Sequence, residues 1–142
     1  TNDGRTLRCT TQDGDWSSAC TVPMVTDAGS STLKVRIDKS RCDELCLYAC
    51  SSSSPNLEGP EFDQAQCFGW YGGSASDDSY TGTDLGQSWQ TGDVIQLTVD
   101  HDRHTLTGRH ERTGVTETIP NVTGNLYWIV SLSLKGDQVS IE

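Results

Sequence analysis

Apolar and polar residues alternate along four stretches of the chain, at positions 32–37, 94–99, 126–134 and 138–141. Alternation with a period of two is the pattern of a β-strand that buries one face and leaves the other in water. We therefore predict a strand at each of these stretches. The apolar positions that would face a shared core are Leu33, Val35, Ile37, Ile95, Leu97, Val99, Leu126, Trp128, Val130, Leu132 and Leu134.

Between the alternating stretches the chain is rich in residues that favour turns. The segments SSSSPNLEGPE at 51–61 and GGSASDDSYTGTDLGQ at 72–87 are the longest examples. Glycine, serine, aspartate and proline make regular structure costly, so these segments are predicted to be loops. Short strands separated by such loops, with almost no helical periodicity, predict an all-β protein, a two-sheet antiparallel sandwich.

The segment 42–50, CDELCLYAC, is ambiguous. Its apolar residues suit one face of a helix, and Ser40 with Asp43 resembles a capping box. Leu45, Leu47 and Ala49 also alternate with their neighbours, as in a strand. We favour a strand, because an isolated two-turn helix in a β-protein would need a packing partner of its own.

Residues 100–104, DHDRH, lie between two alternating stretches and predict a hairpin turn. Aspartate is favoured there because its carboxylate can accept hydrogen bonds from backbone N–H groups of the turn. Three histidines, His101, His104 and His110, with Asp100 and Asp102 could also be imagined as a metal site. Turn chemistry is the simpler interpretation, because side chains in a five-residue turn diverge.

Composition narrows the function classes. The chain has 142 residues, enough for one domain, 1–142, with a real core. Its formal net charge of -10 repels phosphate backbones and anionic membranes and favours a neutral or basic partner. No apolar run is long enough to span a bilayer, and the first residues lack the pattern of a signal peptide. Since Met24 is the only methionine, we expect a piece of a longer or processed polypeptide.

Six cysteines leave the redox compartment open. An even count, together with the glycosylation-type triplet at Asn121, would suit a secreted protein with disulfides. Buried free cysteines are also common in cytosolic proteins, and domains of this length seldom need disulfides. We expect reduced thiols and an intracellular location, cytoplasmic or nuclear, with an extracellular location as the alternative if the cysteines are bonded.

The second half of the chain carries a series of short motifs in a set order. They are 92–95 (GDVI), Asp100, Asp102, Leu106, Asn121, Val122, Gly124, Leu126, Tyr127, 130–132 (VSL) and 136–141 (GDQVSI). This order resembles the SPRY domain. The resemblance is specific over residues 86–142 and thinner upstream, where Trp16, the strand 33–37 and the segment 68–70 occur in the expected order.

The resemblance implies a concanavalin-like, jelly-roll β-sandwich that is not an enzyme and needs no cofactor. SPRY domains bind partner proteins or short peptides through loops at one end, often as the recruiting part of a larger protein such as a ubiquitin ligase. By position, the resemblance implies a contact surface around Pro23, Met24 and Val25, and around Lys135 and Gly136. We add two aromatic residues that flank a loop, Tyr71 and Tyr80, because rigid aromatic side chains are favoured at recognition surfaces.

Other chemistry is less well supported by the sequence. The cysteines lack paired C-x-x-C spacing, and no oxyanion-hole signature accompanies them, so a zinc site and a nucleophilic enzyme are disfavoured. Acidic pairs such as Asp77-Asp78 could bind calcium, as in sandwich lectins, but none forms a complete calcium loop. We therefore expect no catalytic and no metal-binding residues, and keep a calcium-assisted lectin as the alternative function.

Overall fold

The structure is a computed structural model that describes residues 6–8, 17–23, 29–40, 45–50, 67–71, 85, 89–122, 126–132 and 135–142. For residues 17–23, 46, 50, 67, 71 and 131 it describes the backbone alone. Ten strands lie within these ranges. They are β1 (Thr6–Arg8), β2 (Ser17–Pro23), β3 (Ser30–Lys39), β4 (Leu45–Cys50), β5 (Cys67–Tyr71), β6 (Val94–Asp100), β7 (Thr105–His110), β8 (Val115–Ile119), β9 (Tyr127–Leu132) and β10 (Gln138–Ile141).

The strands form two antiparallel sheets. The larger sheet has the order β1-β10-β3-β6-β7-β8, and the smaller has the order β2-β9-β4-β5. The predicted two-sheet antiparallel sandwich is therefore confirmed. In the part of the chain that the structure describes, no helix is long and apolar enough to cross a membrane.

Period-two alternation builds the larger sheet as predicted. Along β6, Ile95, Leu97 and Val99 are buried and their neighbours are half-buried, so one face of the strand joins the core. In β3 the buried residues are again every second one, but the strand is longer than the predicted stretch. The outward face is polar, with a hydroxyl contact between Thr107 and Thr118 across β7 and β8 at 3.2 Å.

The smaller sheet settles the ambiguous segment in favour of a strand. Residues 45–50 form β4, whose Leu45, Leu47 and Ala49 lie in the core as the strand interpretation requires. Tyr48 and its register partner Ile129 on β9 belong to the opposite face, yet both are 1 % exposed. The centre of this face of the smaller sheet is therefore not open to solvent.

Large side chains fill the space between the sheets. Trp70, Trp89 and the predicted core residue Trp128 are all buried. Gly108 on β7 allows Trp70 of β5 to approach closely: a Cβ at Gly108 would lie 2.8 Å from two ring carbons of Trp70 and 2.7 Å from Leu85. Glycine in this strand is explained by the contact between the sheets.

The hairpin predicted at 100–104 joins β6 to β7. One carboxylate oxygen of Asp100 accepts hydrogen bonds from the backbone N–H groups of Asp102 and Arg103, both at 3.0 Å, which confirms the predicted turn chemistry. Asp102 contributes less, since its carboxylate accepts one 3.3 Å bond from the N–H of Gly29 in exposed surroundings.

We expect Asp100→Ala to lower the free energy of unfolding by about 1–2 kcal/mol, because two turn N–H groups lose their acceptor. Asp102→Ala should cost roughly 0.5 kcal/mol or less, because water can replace its single exposed bond. Chemical denaturation of both variants beside the unmodified chain measures the difference. An equal loss in the two variants would contradict this account of the turn.

Gly108→Ala should destabilise the protein by about 1–3 kcal/mol, because the added methyl group overlaps the Trp70 ring and Leu85. Thr116→Ala on β8, where the residue is exposed, is the matched control and should change stability by roughly 0.5 kcal/mol or less. Thermal denaturation followed by tryptophan fluorescence distinguishes the two. Equal melting temperatures for Gly108→Ala and the unmodified chain would show that the sheets can move apart at this contact without cost.

Candidate functional site

The strands run between two ends of the sandwich. We call one the Arg112 end, formed by Ser40 and the segments 89–93, 111–114 and 135–137; it contains the end of β3 and the start of β6. We call the other the hairpin end, formed by Gly29 and the segments 101–104 and 120–122. Any loop-based binding site must use one of these ends or both.

The predicted contact residues divide between the two ends. Gly136 lies at the Arg112 end, where a Cβ would lie 3.8 Å from the Lys39 amino group, and Lys135 precedes it in the same turn. Tyr71 is at this end too, because it pairs with Cys46, whose other partner Ser131 is near the end of β9.

Pro23 lies at the hairpin end, since it pairs with Tyr127 at the start of β9. It is the last residue of β2, so the interpretation of position 23 as a loop residue was wrong. The proline falls where β2 ends and its register with β9 shifts, a position at which a missing N–H is tolerated. Met24, Val25 and Tyr80 lie outside the described residues.

The Arg112 end is organised around the carboxylate of Asp93, which is 2 % exposed. Its Oδ2 accepts hydrogen bonds from His110 Nε2 at 2.7 Å, from the backbone N–H of Gln90 at 3.0 Å and from Arg112 Nη2 at 3.2 Å. Its Oδ1 accepts a bond from Arg112 Nε at 2.6 Å. Burying a carboxylate is unfavourable unless it is paired and hydrogen-bonded, and here charge-assisted donors surround it.

Backbone hydrogen bonds join the segment that carries Asp93 to β3. The Ile37 N–H donates to the Asp93 carbonyl and the Gly92 N–H donates to the Ile37 carbonyl, both at 2.8 Å. Gly92 has φ 96°, in the left-handed region that glycine adopts without strain. Thr91 adds a side-chain link, because its hydroxyl accepts the Ser40 N–H at 2.9 Å. The loops at this end are therefore fixed against the sheet.

His110 is a structural group in this arrangement. An ionised carboxylate only accepts hydrogen bonds, so His110 Nε2 carries the proton that is donated to Asp93. Its Nδ1 is buried and has no hydrogen-bond partner among the residues that the structure describes. Because the His110 side chain is 0 % exposed, a substrate at the surface cannot reach either nitrogen.

Hydrogen bonding keeps Asp93 ionised. Burial by itself raises the pKa of this carboxyl group, but hydrogen bonds from Arg112, Gln90 and His110 outweigh it and hold the pKa below its ordinary value. Asp38 shows the same balance on the outer face of β3: burial raises its pKa, while hydrogen bonds from Ser140, Arg36 and Gln138 lower it overall. Both carboxylates therefore support the folded state only while they are charged.

A shallow cleft of about 470 Å³ opens beside this cluster. Gln90, Thr91, Gly92 and Asp93 line one side, with Val94, and Glu111 and Arg112 line the other. The Arg112 side chain is 37 % exposed, so it donates hydrogen bonds to Asp93 and still reaches the surface. The cleft offers a polar rim for backbone and side-chain hydrogen bonds rather than a deep apolar pocket.

The three histidines do not converge. His101 and His104 belong to the hairpin turn, where the His101 ring contacts the Ser31 hydroxyl at 3.3 Å, and His110 lies at the opposite end of β7. Across the described ranges, no group of three histidine, cysteine, aspartate or glutamate side chains is placed to hold a metal ion.

The Asp93 cluster was not predicted from the sequence, where Gly92 and Asp93 were noted only as part of a SPRY-like motif. One signal was present: Leu106, Gly108 and His110 share one face of β7, so the alternation places a titratable residue on the core side. A buried histidine requires a hydrogen-bond partner. The identity of that partner follows only from the register of β6 and β7, which pairs His110 with Ile95, two residues after Asp93.

Comparisons with known proteins identify the fold. The chain is similar to the SPRY domain of human HERC1, with a TM-score of 0.76 and 16% sequence identity over 98% of this chain and 88% of that one. It is also similar to a human SPRY domain, with a TM-score of 0.59 and 15% identity over 99% and 92% of the two chains. The PSpry domain of TRIM65 matches with a TM-score of 0.54 and 12% identity over 88% and 68%.

No family model matches the sequence, and no curated protein matches it. The resemblance to SPRY domains inferred from the motifs is thus confirmed at the level of fold, across nearly the whole chain.

We expect the protein to lose stability as the pH falls below about 4. Asp38 and Asp93 have lowered pKa values in the folded state, so both carboxylates bind protons more readily when the chain is unfolded. Their contribution is complete above the unfolded pKa and disappears as the pH falls through the lower folded value. Asp93→Asn should cost about 2–4 kcal/mol at neutral pH, since an amide cannot accept all the surrounding donors.

The measurement is the free energy of unfolding from pH 2 to pH 7 for the unmodified chain, Asp93→Asn and the exposed control Asp102→Asn. Asp93→Asn should flatten the acid limb of the curve relative to the unmodified chain and to Asp102→Asn. A curve for Asp93→Asn that runs parallel to that of the unmodified chain would show that folding does not lower the pKa of Asp93.

Proposed function

We propose that this chain is a non-catalytic protein-interaction module that binds a partner protein or a short peptide through loops at one end of the sandwich. The observation that carries the proposal is the shared fold with solved SPRY domains over 98% of the chain. A rigid sandwich that presents loops suits recognition, because preformed loops reduce the entropy lost when a peptide is captured. Within a larger protein, such a module would recruit the partner.

We assign the contact surface to the Arg112 end. Three of the contact residues expected from the sequence, Tyr71, Lys135 and Gly136, belong to it. The Asp93 cluster fixes its loops, and the cleft between Gln90 and Arg112 supplies polar groups beside them. The hairpin end, with Pro23, is the alternative location.

The partner would be a segment with lysine or arginine near an apolar anchor. The reason is the net charge of -10, which accelerates encounter with a basic segment at long range. Locally the Arg112 end carries charges of both signs, since Lys39, Lys135 and Glu111 are all exposed there. The charge therefore supports steering toward a basic partner, while the loops would determine which partner stays bound.

Two features of the described residues argue against catalysis. The buried His110 pairs with Asp93 and is inaccessible, so the Asp–His pair that most resembles catalytic machinery cannot meet a substrate. The cleft beside it is shallow and open, whereas catalytic groups usually act in a site that excludes water. Both features support an interaction module over an enzyme.

Selection from a random peptide display library, with the purified chain as bait, tests the proposal. We expect enriched peptides with lysine or arginine close to an apolar residue, and an association rate for a selected peptide that falls several-fold between low and physiological salt. Selection of acidic peptides, or an association rate independent of salt, would contradict the proposed partner chemistry.

Variants then locate the surface with the same selected peptide. Tyr71→Ala should weaken binding by about tenfold, because it removes aromatic contact area at the Arg112 end. Thr107→Ala, on the outer face of the larger sheet, is the control and should bind normally. Loss of binding only in Pro23→Ala would move the surface to the hairpin end, and glycan-array binding that requires calcium, with no peptide recovered, would favour a lectin instead.

A further inference from the structure

The backbone register brings two of the described cysteines opposite each other. Cys50, the last residue of β4, and Cys67, the first residue of β5, are Cα partners in adjacent antiparallel strands. The other described cysteines have different partners: Cys46 pairs with Tyr71 and Ser131, and Cys20 pairs with Ile129. Among the described cysteines, Cys50 and Cys67 are thus the pair that the register aligns.

We propose that Cys50 and Cys67 form a cross-strand disulfide when the chain meets an oxidant, a departure from the reduced thiols expected from the sequence. Directly opposed residues of an antiparallel pair have Cα atoms about 4.5 or 5.5 Å apart, depending on whether the pair is hydrogen-bonded. Both separations fall within the range of roughly 4.4–6.8 Å that a disulfide spans. The Cα separation of this pair therefore suits a disulfide.

Strand alternation places both residues on one face of the smaller sheet. Ala49 and its partner Phe68 belong to the core face, and so do Leu47 and Trp70. Cys50 follows the core-facing Ala49, and Cys67 precedes the core-facing Phe68. Both cysteines therefore belong to the opposite face. The register places the two cysteines directly opposite each other, and the alternation places them on the same face of the sheet. The sequence alone specifies neither.

The bond would close the connection formed by residues 51–66. This segment, SSSSPNLEGPEFDQAQ, leaves β4 at Cys50 and enters β5 at Cys67, at the same end as Pro23. Joining both ends of a loop of this length removes many conformations from the unfolded chain, which raises the melting temperature.

The chemistry requires a disulfide oxidant, for which we name oxidised glutathione. One cysteine thiolate attacks a sulfur of the oxidant, forming a mixed disulfide and releasing one reduced glutathione. The second thiolate attacks the protein sulfur of the mixed disulfide, forming the Cys50–Cys67 bond and releasing another. The two thiols lose two electrons and two protons, and one oxidised glutathione becomes two reduced molecules.

The test is disulfide mapping of the full chain after equilibration with a glutathione buffer in which the oxidised form is in excess. Free thiols are alkylated, the chain is digested without reductant, and linked peptides are identified by mass spectrometry. We expect a peptide containing Cys50 joined to one containing Cys67 in the unmodified chain and in Cys46→Ser, the matched control. Predominant links between other cysteines, or full alkylation of Cys50 and Cys67, would overturn the proposal.

Stability provides a second measurement, and its first comparison, between the oxidised and the reduced unmodified chain, needs no variant. The oxidised chain should melt about 5 °C or more above the reduced chain, and adding reductant should reverse the shift. In Cys50→Ser and Cys67→Ser the shift should disappear, while Cys46→Ser should keep it. A redox-dependent shift that survives in Cys50→Ser would show that another bond is responsible. Peptide binding does not enter either measurement, so the disulfide and the proposed function can fail separately.

Discussion

One end of the sandwich depends on a charge kept inside the protein. The Asp93 carboxylate is nearly inaccessible, and its four hydrogen bonds come from a histidine on β7, an arginine in the β7–β8 turn and the backbone of its own loop. Such a charge is tolerated only while every donor stays in place. The surrounding loops therefore share one arrangement, which is the condition for a surface that recognises a partner without first rearranging.

Much of the fold could be predicted from local pattern. The strand at 138–141 was predicted with the observed bounds, and the segment 45–50 was assigned correctly because Leu45, Leu47 and Ala49 alternate. The hairpin followed from the aspartate at position 100. These features depend on neighbours in sequence, where one residue's chemistry constrains the next few.

Features that depend on distant residues were not predicted. Val115–Ile119 is a strand because β7 lies beside it, although its own residues alternate weakly. The Asp93 cluster requires β6 and β7 to pair in a particular register, and the division of the expected contact residues between two ends follows from β2 running antiparallel to β9.

The two sheets differ in how much of their surface meets water. Tyr48 and Ile129 are covered on the side of the smaller sheet that a simple sandwich would leave wet, whereas the outer side of the larger sheet carries exposed polar residues such as Thr32 and Arg109. A fluorophore or an immobilisation tag attached at the latter positions would project into solvent without disturbing packing. The larger sheet is thus the natural place for labels, and it leaves both ends of the sandwich unobstructed.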